Sequence, residues 1–443
     1  MSHGLICGQG TNKRCTWKLN ALLIFTMIAS SSLCHQVHAN PFFIGRFNGL
    51  TGGPLVQSPF ALYWNPANLY AERPELDLFV GGIARQATYN RVVPDDAPAD
   101  IVAANSGMAT TNASGILPSL AFRAGFEIDD LKIGIGTGVY IARGGTAGWE
   151  RHPDADVKYP GAYDGPQRWG ALSTFMLIVN YAAGLSATYE RVSFGAAVSY
   201  TDATLSTTKA ANPGGTEDLF NSSGYIQEGR VFLDDATGDR MSFTLGTRID
   251  LDDVQLGFAY RLPVVYELEG TANVLYSNSE SNTDARVELQ VASSYLTSIA
   301  YTIDEVTLRL EHEFLGWSLM DEQVIENDQD VLLTLKRNFK DTQAYRFRLD
   351  YALDDGVILH SGLSYEEGVT RETYHDPGLS EHDQIEAGVG FTWPFNDALS
   401  LHSTFFYQHF FDRRVVNSLQ KPTTNGDYTD RRQYLTMNLR WKL

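Results

Sequence analysis

The chain has 443 residues, 12% of them aromatic, and a formal net charge of −19 at pH 7. So large an acidic excess argues against nucleic-acid binding, which needs a basic face. All three cysteines lie within the first 39 residues, so disulfides do not hold the rest of the chain together.

Residues 1–39 have the features of a signal peptide. Basic residues precede an apolar run over residues 21–33, and small residues lead up to Ala39. The apolar run is too short for a membrane anchor. Cys34 would suit lipoprotein processing, but the preceding Leu33 is too bulky for that site. We therefore expect simple cleavage after Ala39, which leaves a mature chain with a net charge of about −22 because the three basic residues are removed.

Residues 40–74 are predicted to form a plug. The stretch from Phe47 to Tyr70 is apolar and rich in glycine and proline, and it lacks strand alternation. Asn65, Pro66 and Ala67 predict a turn, because proline fixes φ and asparagine bonds to its own backbone nearby.

Residues 75–443 alternate apolar and polar side chains with a period of two, which predicts β-strands. Short turns built from pairs of Asp, Asn or Glu alternate with long connections. We count about fourteen strands and expect long loops over residues 143–170, 202–239 and 317–340.

This pattern predicts an all-β fold, a transmembrane antiparallel β-barrel of about 14 strands with the N-terminal plug inside its lumen. Long loops at one end and tight turns at the other are typical of outer-membrane barrels, which have even strand numbers. Hydrocarbon satisfies no backbone hydrogen bond, so a spanning sheet must close. A soluble sandwich or propeller would have shorter strands and short connections at both ends.

Several stretches, in this order along the chain, resemble the FadL-type outer-membrane transporters of long-chain fatty acids and hydrophobic compounds. The similarity covers essentially all of the mature chain. The stretches are the plug with Asn65-Pro66-Ala67, LGFAYRLPVVYELEG (Leu256 to Gly270), LGWS (Leu315 to Ser318), LSEHDQIEAGVGF (Leu379 to Phe391) and NGDYTDRRQYLTMNLRW (Asn425 to Trp441). The chain departs from the family at Leu443, where relatives end in phenylalanine. Leu439 and Trp441 keep the alternation, so we still expect assembly.

The resemblance implies a multi-pass protein of the Gram-negative outer membrane that passively takes up long-chain fatty acids or related hydrophobic compounds. Expected partners are that ligand, outer-membrane lipid and the outer-membrane assembly machinery. Some relatives instead dock proteins or act as secretion shuttles, and this alternative stays open. A general porin would lack a plug.

No catalytic motif is present, so we expect no enzyme activity, no cofactor and no metal site. His360 and His402 fall on inward faces, where lumen polarity is the better interpretation.

Glycines repeat along the third predicted strand, where they weaken packing or allow another backbone to approach closely. The resembled family has a kink in this strand that opens the wall sideways. Gly134, Gly136, Gly138, Gly144 and Gly145 are therefore candidates for a lateral opening. The alternative is a thin wall packed against the plug.

Alternation also points several arginines into the lumen, where we expect most of them to form ion pairs. A guanidinium matches a carboxylate with two parallel hydrogen bonds, so some are candidates for binding a ligand carboxylate. These candidates are Arg123, Arg248, Arg309, Arg346 and Arg348.

Aromatic residues in the long connection after the third strand are candidates for ligand capture, or for a girdle at the membrane interface. They are Trp149, Tyr159, Tyr163 and Trp169.

Overall fold

The computed structural model describes residues 46–93, 95, 97, 99–150, 164–212, 228–276, 279–379 and 381–443. The predicted signal peptide, Tyr159 and Tyr163 lie outside these residues. Within them, a 19-stranded antiparallel sheet follows a short plug segment. None of the helices in these residues is both long and apolar enough to cross a bilayer.

The plug contains helix α1 (Ala61–Trp64) and 3₁₀ turns at Gly49–Thr51 and Pro66–Asn68. Helix α2 (Ala99–Asn105) and 3₁₀ turns at Pro166–Trp169, Trp317–Leu319 and Glu372–Tyr374 lie between strands. The strands are β1 (Glu75–Arg91), β2 (Gly107–Ile128), β3 (Leu131–Gly148), β4 (Ser173–Tyr189), β5 (Val192–Ala211), β6 (Gly229–Leu251), β7 (Val254–Arg261), β8 (Val264–Tyr276), β9 (Ser279–Val291), β10 (Ser294–Ile303), β11 (Val306–Leu315), β12 (Glu322–Glu326), β13 (Val331–Lys336), β14 (Thr342–Ala352), β15 (Ile358–Glu366), β16 (Gln384–Pro394), β17 (Leu399–Phe410), β18 (Arg413–Val415) and β19 (Gly426–Lys442).

The sheet closes on itself, because β1 pairs with both β2 and β19. Five pairs of consecutive strands each occupy one position around the barrel, with one strand above the other along the barrel axis. They are β7 and β8, β9 and β10, β11 and β12, β13 and β14, and β17 and β18. Counted by position, the wall is a closed barrel of 14 strands, which confirms the predicted fold class.

The outer face of the wall is apolar, and most of the charged side chains of the spanning strands lie on the inner face. Phe194, Leu363 and Val389 point outward and are 62%, 61% and 62% exposed. Asp77 and Arg85 point inward and are buried. This arrangement is the reverse of that in a soluble barrel and suits a wall surrounded by hydrocarbon.

Tight turns join the strands at one end, which we call the short-turn end. Asp129, Glu190, Asp252 and Asp304 each adopt a positive φ between 50° and 59°. Asp and Asn tolerate this left-handed conformation better than most residues, and two-residue hairpin turns need it. The predicted acidic turns are therefore correct.

The predicted loops are too long, and this expectation was wrong. At the other end, the long-loop end, β5 continues to Ala211 and β6 begins at Gly229. β12 and β13 form a hairpin within residues 317–340. Above the bilayer a strand needs no apolar outer face, so the period of two disappears although the backbone pairing continues.

The seam between β1 and β19 is tied by a buried ion cluster. The Asp430 carboxylate lies 2.8 Å from Arg85 Nη2 and 2.9 Å from Arg432 Nη2. The side chains of Asp430 and Arg85 are only 0% and 2% exposed. Loss of the carboxylate would leave the Arg85 guanidinium buried without its acidic partner, while Arg432 would keep Glu381 at 3.2 Å.

We predict that Asp430→Ala destabilises the barrel by about 3 to 5 kcal/mol, the range for removing one partner of a buried pair. The measurement is the unfolding midpoint in denaturant with the protein held in detergent micelles. Asp328→Ala is the matched control, because the Asp328 and Arg286 side chains are 88% and 53% exposed and Asp328 is not held at a positive φ. An exposed pair contributes about 1 kcal/mol at most. Equal effects of the two substitutions would contradict the prediction.

Candidate functional site

The plug fills the middle of the lumen with an aromatic core. Phe47 and Phe60 stack with ring centroids 4.7 Å apart. Phe79 of β1 and Tyr140 of β3 each meet Phe47 edge-on at 5.2 Å. The wall residues in this cluster are largely alanines: Ala121, Ala142, Ala182, Ala197 and Ala259. Small wall residues thus leave room for the large side chains of the plug.

Several arginines and one histidine of the wall donate hydrogen bonds to carbonyl groups of the plug. Arg123 Nη1 lies 2.8 Å from the Asn68 carbonyl oxygen, and Arg440 Nη1 lies 3.0 Å from that of Gln57. Further contacts of this kind run from Arg261 to Tyr63 at 3.1 Å, from Arg309 to Thr51 at 3.3 Å and from His402 to Asn48 at 2.9 Å. Irregular backbone has few partners of its own, so these bonds satisfy buried carbonyls.

The turn at Asn65, Pro66 and Ala67 has the geometry expected from its sequence. The Asn65 side-chain oxygen accepts a hydrogen bond from the Ala67 amide at 3.1 Å, and its amide group donates to the Thr247 carbonyl of β6 at 3.0 Å. Gly246 contacts the Asn65 side chain so closely that a Cβ there would overlap it. The turn therefore rests directly on the wall.

The wall is interrupted between β2 and β3. Their ladder ends at the pair Leu120 and Val139, although both strands continue toward the long-loop end. Pro118, which has no backbone N–H to donate, lies just beyond that pair. Higher up, the strands meet again where the Glu150 amide donates to the Thr110 carbonyl at 3.0 Å.

Above the ladder, β3 bends into the lumen. The alternation of exposed and covered side chains stops, and every residue from Tyr140 to Gly145 is buried. The register with β4 shifts between Ile141 and Arg143, as in a β-bulge, which bends a strand. We call residues 140–145 the bent segment.

The candidate glycines fall into two groups. Gly134 and Gly136 face the plug, where an added Cβ would meet the backbone at Tyr70 and the Leu69 side chain. Gly144 and Gly145 belong to the bent segment. Gly138, just below that segment, faces Ala121. The lower part of β3 thus packs closely against the plug, and the upper part of the same strand borders the break in the wall. The role of these glycines in a lateral opening of the wall stays a prediction.

An apolar cluster lines the lumen toward the long-loop end. It includes Met176, Leu205, Leu268 and Leu289 from the upper parts of β4, β5, β8 and β9. A cavity of about 70 Å³ lies between this cluster and the plug. A concavity of about 1220 Å³ is bounded mainly by outward side chains such as Leu310, so we assign it to the lipid-facing surface.

All of the arginines proposed from the sequence to bind a carboxylate already contact acidic side chains. The closest distances are 2.8 Å from Arg123 to Glu75, 2.7 Å from Arg248 to Asp250, 3.4 Å from Arg309 to Asp350, 2.8 Å from Arg346 to Glu313 and 3.3 Å from Arg348 to Glu311. The expected ion-pair lattice is therefore present. Binding of a ligand carboxylate by any of these arginines stays a prediction.

The tryptophans proposed for ligand capture are buried at the long-loop end. Trp149 packs with Tyr89 and Tyr428. Trp169 donates a hydrogen bond to the Asn105 side chain at 2.7 Å. Neither lies in an exposed girdle at a membrane interface, and their part in capture stays a prediction.

A pair of buried histidines lies in the connection between β15 and β16, outside the spanning strands. The His375 and His382 rings are 5.2 Å apart, and their residues are 0% and 1% exposed. Burial lowers the pKa of His375 well below its usual range and the pKa of His382 to about 4. Both rings are therefore neutral at pH 7. No group of His, Cys, Asp or Glu in the described part of the chain is arranged to hold a metal ion.

Solved structures of other outer-membrane proteins have the same architecture. A Pseudomonas aeruginosa FadL homologue superimposes with a TM-score of 0.73 at 16% identity, over 92% of this chain and 99% of that one. The Pseudomonas putida toluene transporter TodX superimposes with a TM-score of 0.64 at 14% identity, over 92% of this chain and 100% of that one. The Ralstonia pickettii toluene transporter TbuX superimposes with a TM-score of 0.64 at 14% identity, over 92% of this chain and 99% of that one. Identities this low establish the fold alone.

The fold and the filled lumen define a plugged outer-membrane β-barrel. The sequence profile described as "Outer membrane protein transport protein (OMPP1/FadL/TodX)" matches residues 56–442. The chain therefore belongs to the FadL/TodX family of outer-membrane transporters of hydrophobic compounds in Gram-negative bacteria, and it is a transport protein and not an enzyme. No curated protein sequence matches the chain.

We predict that the connection between β15 and β16 loosens as the pH falls below about 6.5. Below that pH the two histidines of the unfolded segment take up protons, whereas the same histidines stay neutral while they are buried in the folded segment. The segment therefore has its full stability above pH 6.5 and loses stability as the pH falls. For His382, with a folded pKa of about 4, the loss between pH 7.5 and 5 is about 2 kcal/mol.

The measurement is hydrogen exchange in residues 367–379 and 381–383, normalised to β4 amides of the same molecule. His382→Gln, which stays neutral, should remove the part of the pH dependence that His382 contributes and leave the part that His375 contributes. Equal protection of the segment at pH 7.5 and at pH 5 would contradict the prediction.

Proposed function

We propose that this protein takes up long-chain fatty acids or related hydrophobic compounds by passive diffusion, and that they leave sideways through the wall between β2 and β3. The ligand would enter the apolar lumen at the long-loop end, stop above the plug and leave into the bilayer at the bent segment. Cleavage after Ala39 would leave residues 40–74 as the plug of the mature protein.

The observation that carries the proposal is the interrupted ladder between β2 and β3. Unpaired backbone groups are costly against hydrocarbon, so a closed wall would be the default for a purely structural barrel. Here the two strands separate above Leu120 and Val139 and meet again near Thr110. The separation borders both the plug and the buried apolar cluster, so a hydrophobic ligand above the plug has a short way out.

The apolar cluster supports a hydrophobic ligand. It is buried in the lumen, where a water-filled pore would be lined by polar groups. The plug below it is anchored by wall arginines, which favours a sideways path over one straight through the barrel. Transport of this kind needs no energy source and proceeds down the ligand gradient through differences in affinity between sites.

The ligand class is tested by binding a fluorescent long-chain fatty acid to the protein in detergent, with oleate and toluene as competitors. Saturable binding displaced by oleate is the expected result. Displacement by toluene alone would replace fatty acids with aromatic hydrocarbons as the proposed ligand. Absence of saturable binding by any hydrophobic compound would overturn the proposal and favour a protein-docking role.

Lateral release is tested with a reversible disulfide in Ser119→Cys, Ile141→Cys, since Ser119 Oγ lies 3.3 Å from the Ile141 amide. Oxidation should tether the bent segment to β2 and lower fatty-acid uptake several-fold, and reduction should restore it. The control is Ala183→Cys, Val198→Cys, a directly opposed pair in the continuous wall of β4 and β5. Uptake unaffected by a fully formed tether would exclude this exit.

A further inference from the structure

We infer that residues 367–379 and 381–383, in the connection between β15 and β16, form a lid over the entrance to the apolar lumen, and that protonation of two buried histidines releases this lid. The inference rests on the proposed uptake of hydrophobic compounds and specifies how their access to the lumen is controlled. The lid is closed near neutral pH and opens in acid.

The lid reaches across the long-loop end to the opposite side of the barrel. When the five shared positions are counted once, β15 and β16 hold the eleventh and twelfth of the 14 wall positions, and β4 holds the fourth. Nevertheless, Pro377 packs against Gly170 and Gly378 packs against Ala171, just before β4 begins. A connection that contacts both sides of a barrel lies across its opening.

Residues 377–379 of the lid cover the apolar cluster. Gly378 and Leu379 line a cavity of about 40 Å³. Members of the apolar cluster line the same cavity: Met176, Leu205, Val287, Leu289 and Ile325. Leu379 also packs with Trp317 and Phe339, which holds this part of the lid in place. A hydrophobic compound that approaches the cluster from directly above therefore has to displace the lid.

Polar contacts hold the closed lid to neighbouring connections. The Asp376 carboxylate lies 2.9 Å from Nη1 of Arg337, which follows β13, and the two side chains are only 10% and 12% exposed. The His375 carbonyl accepts a hydrogen bond from Thr424 Oγ1, between β18 and β19, at 2.6 Å. Neither contact is part of a strand ladder, so the lid can detach at both places while the wall stays paired.

The two histidines lie where the lid meets β17 and β19. The His375 ring meets Tyr428 edge-on at 4.5 Å, and its Nδ1 lies 2.7 Å from Thr370 Oγ1. The His382 ring meets Phe410 at 5.3 Å, and neither of its nitrogens has a hydrogen-bond partner among the described residues. These surroundings suit neutral rings, because a buried charge is costly unless a partner compensates it.

The charges around the histidines favour release of the lid after protonation. Arg413 of β18 and Arg432 of β19 repel a protonated ring, and the two histidines repel each other once both are charged. Asp430 of β19 and Asp383 of the lid attract a protonated His382. However, Asp430 already lies 2.9 Å from Arg432, and Asp383 accepts a hydrogen bond from a backbone amide at 2.9 Å. Acid therefore weakens the contacts of the closed lid.

The lid is tested with a reversible disulfide in Ala171→Cys, Gly378→Cys. A Cβ at Gly378 would lie 3.1 Å from the Ala171 Cβ, near the separation of about 3.5 to 4.5 Å that a disulfide needs. Oxidation should lower oleate uptake several-fold in cells that carry the protein in their outer membrane, and reduction should restore it. The control is Ala183→Cys, Val198→Cys, within the paired wall of β4 and β5, which should leave uptake unchanged.

The effect of pH is tested by comparing oleate uptake at pH 7.5 and pH 5.5 in the wild type and in His375→Gln, His382→Gln, whose amide side chains stay neutral. Protonation of oleate itself is the same for every variant, so the ratio of wild-type uptake to variant uptake reports on the lid. This ratio should rise several-fold as the pH falls. His312→Gln, in β11 outside the lid, is the matched control and should behave as the wild type does.

Uptake unaffected by a fully formed tether would overturn the lid. A ratio that stays the same at pH 7.5 and pH 5.5 would overturn its release by acid. Either result leaves the proposed function intact if cells with the wild type take up oleate faster than cells without the protein. If the wild type speeds the uptake of no hydrophobic compound, the proposed function itself has failed.

Discussion

The rest of the structure depends on hydrogen bonds from wall arginines to carbonyl groups of the plug. A segment as irregular as residues 46–74 has few backbone partners of its own, and a buried carbonyl without a partner costs free energy. Arg123 and Arg261 supply partners from the beginning and the middle of the wall sequence, and each also contacts an acidic residue. The plug is therefore a separate piece of chain that the barrel holds by polar contacts and by aromatic packing.

The break between β2 and β3 follows from how the plug is seated. Gly134 and Gly136 let the plug lie against the lower part of β3, and the ladder with β2 is intact there. Above the plug the same strand turns inward and fills space that no plug residue occupies. A barrel without a plug would have to close this part of the wall, whereas here the bent segment and the plug together complete the lumen.

Charge is distributed so that most of the lumen is neutral. Arginines of β11 and β14 pair with carboxylates of β11, β14 and β15, as Arg346 and Glu313 do at 2.8 Å. Because these pairs are buried, screening by water is weak, and the loss of either partner would leave an uncompensated charge inside the barrel.

The sequence by itself determined the barrel, its strand count and the inward charges, because a wall between lipid and lumen imposes a period of two on every spanning strand. It did not determine how far strands such as β5 and β6 extend beyond the bilayer, where no such constraint acts. Arg143 was counted as the start of a loop because the alternation of exposed and covered side chains stops where β3 bends into the lumen. Which arginines pair with carboxylates and which stay free was decided only by the tertiary structure, because partners such as Arg85 and Asp430 are hundreds of residues apart and meet only when the sheet closes.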